Sequence, residues 1–179
     1  TVPWATDNDC SAAGDGSVTW SYDADTTTLT ISGKGAMADY ASASKTPWYS
    51  YRKTATKIVV ENGVTSVGAH AFYALTKLTS VTLPDTLKTM GYRSFRSCTG
   101  LTSIEIPNSV TEIAAVAFYN WDATKTIKFN RDKNTVLRDV ALGTNWSYLA
   151  NIDYNGEVES APTAGTYGDN ISWSYDVNA

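Results

Sequence analysis

A chain of 179 residues with a formal charge of −4 has room for one ordinary domain and a substantial core. Nucleic-acid grooves and polybasic membrane surfaces need clustered Lys and Arg, so no nucleic-acid partner is expected for a chain with 14 basic against 18 acidic residues. No apolar run approaches the roughly 18 residues of a membrane span, which argues against membrane insertion, and the lean toward Thr, Ser, Asn, Val, Tyr and Trp predicts a mostly β protein.

Residues 1–52 open the chain as a cap. In "SVTWSYDADTTTLTISGKGAM", Val18, Trp20 and Tyr22 alternate with polar residues, "DADTT" offers a turn, and Leu29 and Ile31 alternate again. This reads as a β-hairpin with one apolar face. In "KTPWYSYR", Thr46 is placed to cap a short helical turn and Pro47 to occupy its first position, with Trp48 packing beneath.

Residues 53–129 repeat. Phe72, Phe95 and Phe118 stand 23 apart, as do Val64, Leu87 and Val110, and Val67, Met90 and Ile113. The strand-like part forms four rows, with Ile58, Val81, Ile104 and Ile127 in one column and Val60, Leu83, Ile106 and Phe129 two residues on. A period of 20 to 29 residues with one short strand per unit is the signature of leucine-rich-repeat architecture. The expected fold is therefore a short curved parallel β-solenoid of the α/β leucine-rich-repeat type. The hairpin covers its open first end, because an exposed apolar cross-section must be shielded. Pro84 and Pro107 close two strands where a missing donor does no harm. Gly68 and Gly91 are expected to allow a tight bend, with Ala114 departing from the pattern. Cys98 falls in the apolar column of Leu75 and Trp121, so it reads as a core thiol rather than half of a bridge to Cys10.

Residues 130–154 are expected to be a degenerate last coil, with Val136 in the Val67 column, Ala141 in place of the phenylalanine, and Trp146, Tyr148 and Tyr154 closing the end. Residues 155–179 read as a polar linker, "NGEVESAPTAGTYG", followed by "DNISWSYD", a near copy of "GSVTWSYD" in the cap. That tail is either the start of a further module or a strand for a sheet edge, with self-association through the tail as the corresponding expectation.

Taken together, "LTSVTLPDTLKTMGYRSFRSCTG", "LTSIEIPNSVTEIAAVAFYNW", "WSYDADTTTLTISGKGAM" and "PWYSYR" resemble the BspA-like leucine-rich-repeat proteins of bacterial surfaces. The resemblance covers residues 14 to 129. It implies a secreted or wall-attached, extracellular protein whose repeats serve adhesion to proteins or polysaccharide, and it brings no catalytic residues. Leu75 and Trp121 stand where that family commonly has Cys.

The residues themselves offer little chemistry. His70 is the lone histidine and shares its column with Arg93 and Val116, which suggests a rim position. No paired-cysteine spacing suggests zinc, "DNDC" and "DADTT" read as turns rather than calcium loops, and no glycine-rich loop precedes a Lys. Neither enzyme activity nor a cofactor or metal is expected. What remains is the outward side of the strands, where Lys57, Ser80, Ser103 and Thr126 form one column and Val59, Thr82, Glu105 and Lys128 another. Four strands make a strip about 15 Å wide. It is the candidate surface for an extracellular protein or polysaccharide, with Tyr73, Tyr92 and Tyr119 near the bends as further contacts for sugars. A carbohydrate-binding module of a degradative complex and a structural spacer are the alternatives.

Overall fold

The computed structural model describes residues 8–160. Alternation at the N-terminus produces β1 (Val18–Asp23) and β2 (Thr28–Gly33), an antiparallel hairpin that sets Trp20 opposite Ile31 and Tyr22 opposite Leu29. Asp23 holds the turn, its carboxylate accepting the backbone N–H of Asp25 at 2.9 Å. A two-residue strand, β3 (Gly35–Ala36), leaves the hairpin next. Both β2 and β3 then pair in parallel with the first repeat, β2 with β4 (Lys57–Val60) and β3 with β5 (Val64–Val67). The cap therefore continues both sheets, so it supplies ladder partners as well as apolar cover.

Between cap and repeat lies a 3-10 turn, Tyr49–Tyr51. Trp48 is buried there, donating its indole N–H to the Ala71 carbonyl at 2.8 Å and packing 6.0 Å from Trp20 and 5.9 Å from Phe72. Thr46 does not cap this turn. The residue before a proline is pushed to extended backbone, φ −72° and ψ 139° here, and its hydroxyl instead donates back to the Ala43 carbonyl at 2.8 Å.

Each repeat contributes a strand to either sheet: β6 (Ser80–Thr82) and β7 (Thr89–Met90), then β8 (Ser103–Ile106) and β9 (Glu112–Ile113), then β10 (Thr126–Phe129). Pairing is parallel, and partners stand 23 positions apart, Lys57 with Ser80, Thr89 with Glu112, Ser103 with Thr126. Alternation sends Ile58, Val60, Ile104, Ile106, Ile127 and Phe129 into the core. Inside, Phe72, Phe95 and Phe118 are fully buried and form a continuous spine, with ring centroids 5.3 and 5.8 Å apart.

The two sheets differ. On one side β3, β5, β7 and β9 form an unbroken ladder; on the other, β1-β2-β4-β6 and β8 with β10 belong to separate ladders, which break between β6 and β8. The interruption falls at the three-residue β6, whose Val81 is only partly buried, as is Leu83 just after it. The hydrogen-bonded ladder is thus interrupted on this side, although β6 and β8 stay neighbours.

Gly68 and Gly91 owe their place to close approach rather than to a bend. A Cβ on Gly68 would stand 1.8 Å from the Ala38 carbonyl oxygen, and one on Gly91 2.6 Å from the Ala69 nitrogen.

The last coil is more complete than its sequence suggests. Asp132 caps a helix, α1 (Lys133–Asp139), by accepting the Thr135 N–H at 3.0 Å. Then β11 (Ala141–Leu142) joins β9 and β12 (Asn151–Tyr154) joins β10. The helix shifts the register: Leu142, not Val136, lies beside Ile113, and Trp146, not Ala141, packs on Phe118 at 6.3 Å. Val136 is buried from the helix instead. Where a linker is expected after residue 154, β13 (Glu157–Glu159) turns back antiparallel on β12. "DNISWSYD" lies outside the described residues.

Candidate binding surface

The strand surface arises because inward apolar residues anchor the alternate positions and leave the others outside. Lys57 and Ser80 are exposed and directly paired, and the half-buried Val59 pairs with exposed Thr82. Across the interruption, exposed Ser103 pairs with half-buried Thr126, and Glu105 with Lys128, both exposed. The predicted strip thus consists of two laddered halves, Lys57/Val59/Ser80/Thr82 and Ser103/Glu105/Thr126/Lys128, which meet where β6 and β8 lie side by side without a ladder. The second extends onto a strand that the 23-residue spacing does not reach: Asn151 follows Thr126, and Asp153 follows Lys128, at an offset lengthened by α1. The alternation in "NIDY", with Tyr154 buried and stacked on Phe129 at 5.8 Å, is the signal that identifies it. Glu105, Lys128 and Asp153 therefore alternate in charge along one row, and the Glu105 carboxylate also accepts from the Asn130 amide. The three side chains form no ion pair with one another, so their charges stay available to a ligand.

On the other sheet two shallow grooves of about 420 and 270 Å³ are lined mostly by small residues, including Ala36, Ser66, Ala114 and Gly143. Asp39, Glu112 and Tyr92 are their titratable groups. Among the described residues no cluster of three or more His, Cys, Asp or Glu could hold a metal ion, and no helix is long and apolar enough to cross a membrane.

A third surface belongs to the turns. His70, Arg93, Val116 and Asn145 all adopt left-handed backbone, with φ between 49° and 57°, and so do Ala74, Ser97, Asn120 and Tyr148. This shared geometry aims alternate amides at the next coil: His70, Phe72 and Ala74 donate to the carbonyls of Tyr92, Ser94 and Arg96 at 2.8–2.9 Å. The Phe carbonyls also accept from side chains, Cys98 Sγ donating to Phe72 at 3.0 Å and Trp121 Nε1 to Phe95 at 3.1 Å. Cys98 and Cys10 are free, buried thiols, and burial pushes both up to about 12.

His70 is accordingly not a rim residue chosen for solvent. Its Nδ1 lies 2.8 Å from the Tyr40 carbonyl, and its ring packs 5.5 Å from Tyr92; Arg and Val share the column because the left-handed backbone, not the side chain, is common to all three. Outside this turn ladder runs a second column. The Arg96 guanidinium lies 5.1 Å over the Tyr73 ring and 4.6 Å over Tyr119, and Tyr119 packs 4.4 Å from Tyr148. Beside it Arg93 lies 4.7 Å over Tyr92.

Comparison with known proteins adds to this geometry. Six copies of the BspA type leucine rich repeat region match residues 46–164. The crystal structure of a leucine-rich repeat protein from Eubacterium ventriosum superimposes with a TM-score of 0.58 at 25% identity, covering 78% of this chain and 43% of that one. This chain thus spans less than half the length of that protein. A leucine rich cell surface protein from Faecalibacterium prausnitzii (20% identity, TM-score 0.34, 78% and 54% covered) and a leucine rich repeat protein from T. pallidum (19%, 0.33, 72% and 79%) superimpose too loosely to add to the argument. No match appears among curated proteins. With the repeat model spanning most of its length, this chain belongs to the BspA-type leucine-rich-repeat family.

Proposed function

We propose that this protein is a non-catalytic binding module of a secreted or cell-surface bacterial protein, and that its coils form a short curved solenoid of about 23-residue repeats. Its ligand is an extracellular protein or a polysaccharide, taken on the outward side of β4, β6, β8, β10 and β12. The observation that carries the reading is the row Glu105, Lys128 and Asp153 with its exposed Ser and Thr neighbours, held in register by parallel ladders on a fully buried core. Such a row is preorganised, so ordering it costs little on binding. The strip is narrow for a protein partner needing about 800 Å² per side, which suits one segment of a longer array.

Binding of the purified chain to immobilised extracellular-matrix proteins and to a panel of polysaccharides tests this. The double variant Thr82→Lys/Glu105→Lys is expected to lower binding at unchanged melting temperature. Undiminished binding by the folded double variant removes the strip, and silence of the wild type on every surface favours a structural spacer.

A further inference from the structure

We propose that the tyrosine–arginine column on the turns is a second binding site, for an acidic polysaccharide whose carboxylate or sulfate groups are taken by Arg96 and Arg93. Tyr73, Arg96 and Tyr119 occupy one position on three successive repeats, and Tyr148, from the adjacent position of the terminal coil, packs its ring on Tyr119. The Arg96 guanidinium is held between two rings, and with its Nε buried the edge carrying the terminal nitrogens is what is left for hydrogen bonding.

Nothing in the described protein uses that edge. The ion pairs among the described residues are Lys133 with Glu159 and Arg138 with Asp139, so neither Arg93 nor Arg96 has an acidic partner. The Nε atoms of both are buried without an acceptor. With Nε out of a ligand's reach, the terminal nitrogens are the donors left, and two N–H groups of a planar guanidinium are matched by two oxygens of a carboxylate or sulfate in parallel bonds. Stacking also limits the rotamers that an arginine loses on capturing a ligand. Two unpaired cations beside His70 form a local basic spot on a chain of net charge −4, which favours a chain bearing acidic groups.

The ligand is assigned as a polysaccharide because the column is itself a repeat. Its rings and guanidinium succeed one another at 4.4 to 5.1 Å, and a polymer lying along it meets phenol and guanidinium edges in turn. Several weak contacts along one polymer then add by effective concentration. This site lies on the turns, apart from the strand strip, and stands or falls separately from it.

Affinity electrophoresis of the full chain through gels holding polygalacturonate, chondroitin sulfate, dextran or polyglutamate tests the assignment. Retardation is expected from at least one of the two acidic glycans, weakened by salt, and not from dextran. Polygalacturonate against chondroitin sulfate separates carboxylate from sulfate recognition. Arg96→Gln is expected to weaken binding tenfold or more, and Arg93→Gln/Arg96→Gln to remove it, while Arg138→Gln on α1 leaves it unchanged. Should Arg96→Gln fail to fold, Arg93→Gln alone is read in the same way, a severalfold loss supporting the site and unchanged binding overturning it. No retardation by either acidic glycan, equal retardation by dextran or polyglutamate, or wild-type binding by the folded double variant would also overturn it.

Discussion

The middle coils and the terminal coil solve one packing problem with different lengths of chain. Between β5, β7 and β9 each partner stands 23 residues on, whereas β11 meets β9 only after α1 is accommodated, Ala141 lying beside Glu112. Yet the inner positions are refilled: Leu142 adjoins Ile113, Trp146 packs on Phe118, Tyr154 stacks on Phe129, and Asn145 takes the same left-handed turn as Val116. What a coil must conserve in space is its inward side chains and its turn geometry. Length between them is free, because a capped helix satisfies its own backbone on the way.

If that is so, damage to the shared spine should outweigh damage anywhere else. Phe95→Ala leaves a cavity between Phe72 and Phe118 and is expected to cost about 3–5 kcal/mol, read as a fall in chemical-denaturation midpoint. A midpoint within error of wild type would sink the spine. Gly68→Ala comes next. Its Cβ would press on the Ala38 carbonyl where cap and first repeat touch, and a cost of about 1–3 kcal/mol is expected from the backbone shift needed.

Val116→Asn sharpens the comparison in the other direction, since it gives a middle coil the residue type that the terminal coil uses. A β-branched residue at φ 49° is strained, and Asn tolerates that region, so a gain of about 1 kcal/mol is expected, or a few degrees in Tm. A lowered Tm would show that the valine side chain matters more than its backbone. The last effect is silent at neutral pH. Burial pushes Cys98 in the middle and Tyr154 at the end up to about 12, from ordinary values of 9.0 and 10.0. The unfolded chain therefore loses these protons first, and stability, complete below about pH 9, should decline as pH rises toward 12. Denaturant titrations at pH 7, 9 and 11 read this, and Cys98→Ala should flatten the decline.

Much of the fold was legible because a repeated fold writes its core as subtraction. The phenylalanine spine, the strand columns and the buried Cys98 all follow from equal spacing, and all lie in the core except Val81 and Leu83, which are partly buried against it. The reading weakened where spacing ceased to be equal. Val136 and Ala141 were assigned by counting through a helix that resets the count, and β12 and β13 fell in segments read as decay and linker. The binding surface was legible as residues and less so as a surface. Lys57, Ser80, Thr82, Ser103, Glu105 and Lys128 are all exposed, but only the ladder pattern shows that the hydrogen bonding between them is interrupted after β6 and that Asp153 extends the row beyond Lys128.

The period and the apolar columns needed nothing but the sequence, since side chains that recur at one interval must share one environment once coils stack in register. The left-handed turns, the close backbone contact at Gly68 and the capture of Arg96 between Tyr73 and Tyr119 were decided only in three dimensions. Each depends on what the neighbouring coil places opposite. The physical reason is that hydrophobic burial leaves a periodic trace along the chain, whereas hydrogen-bond direction, close approach and stacking are properties of pairs of segments.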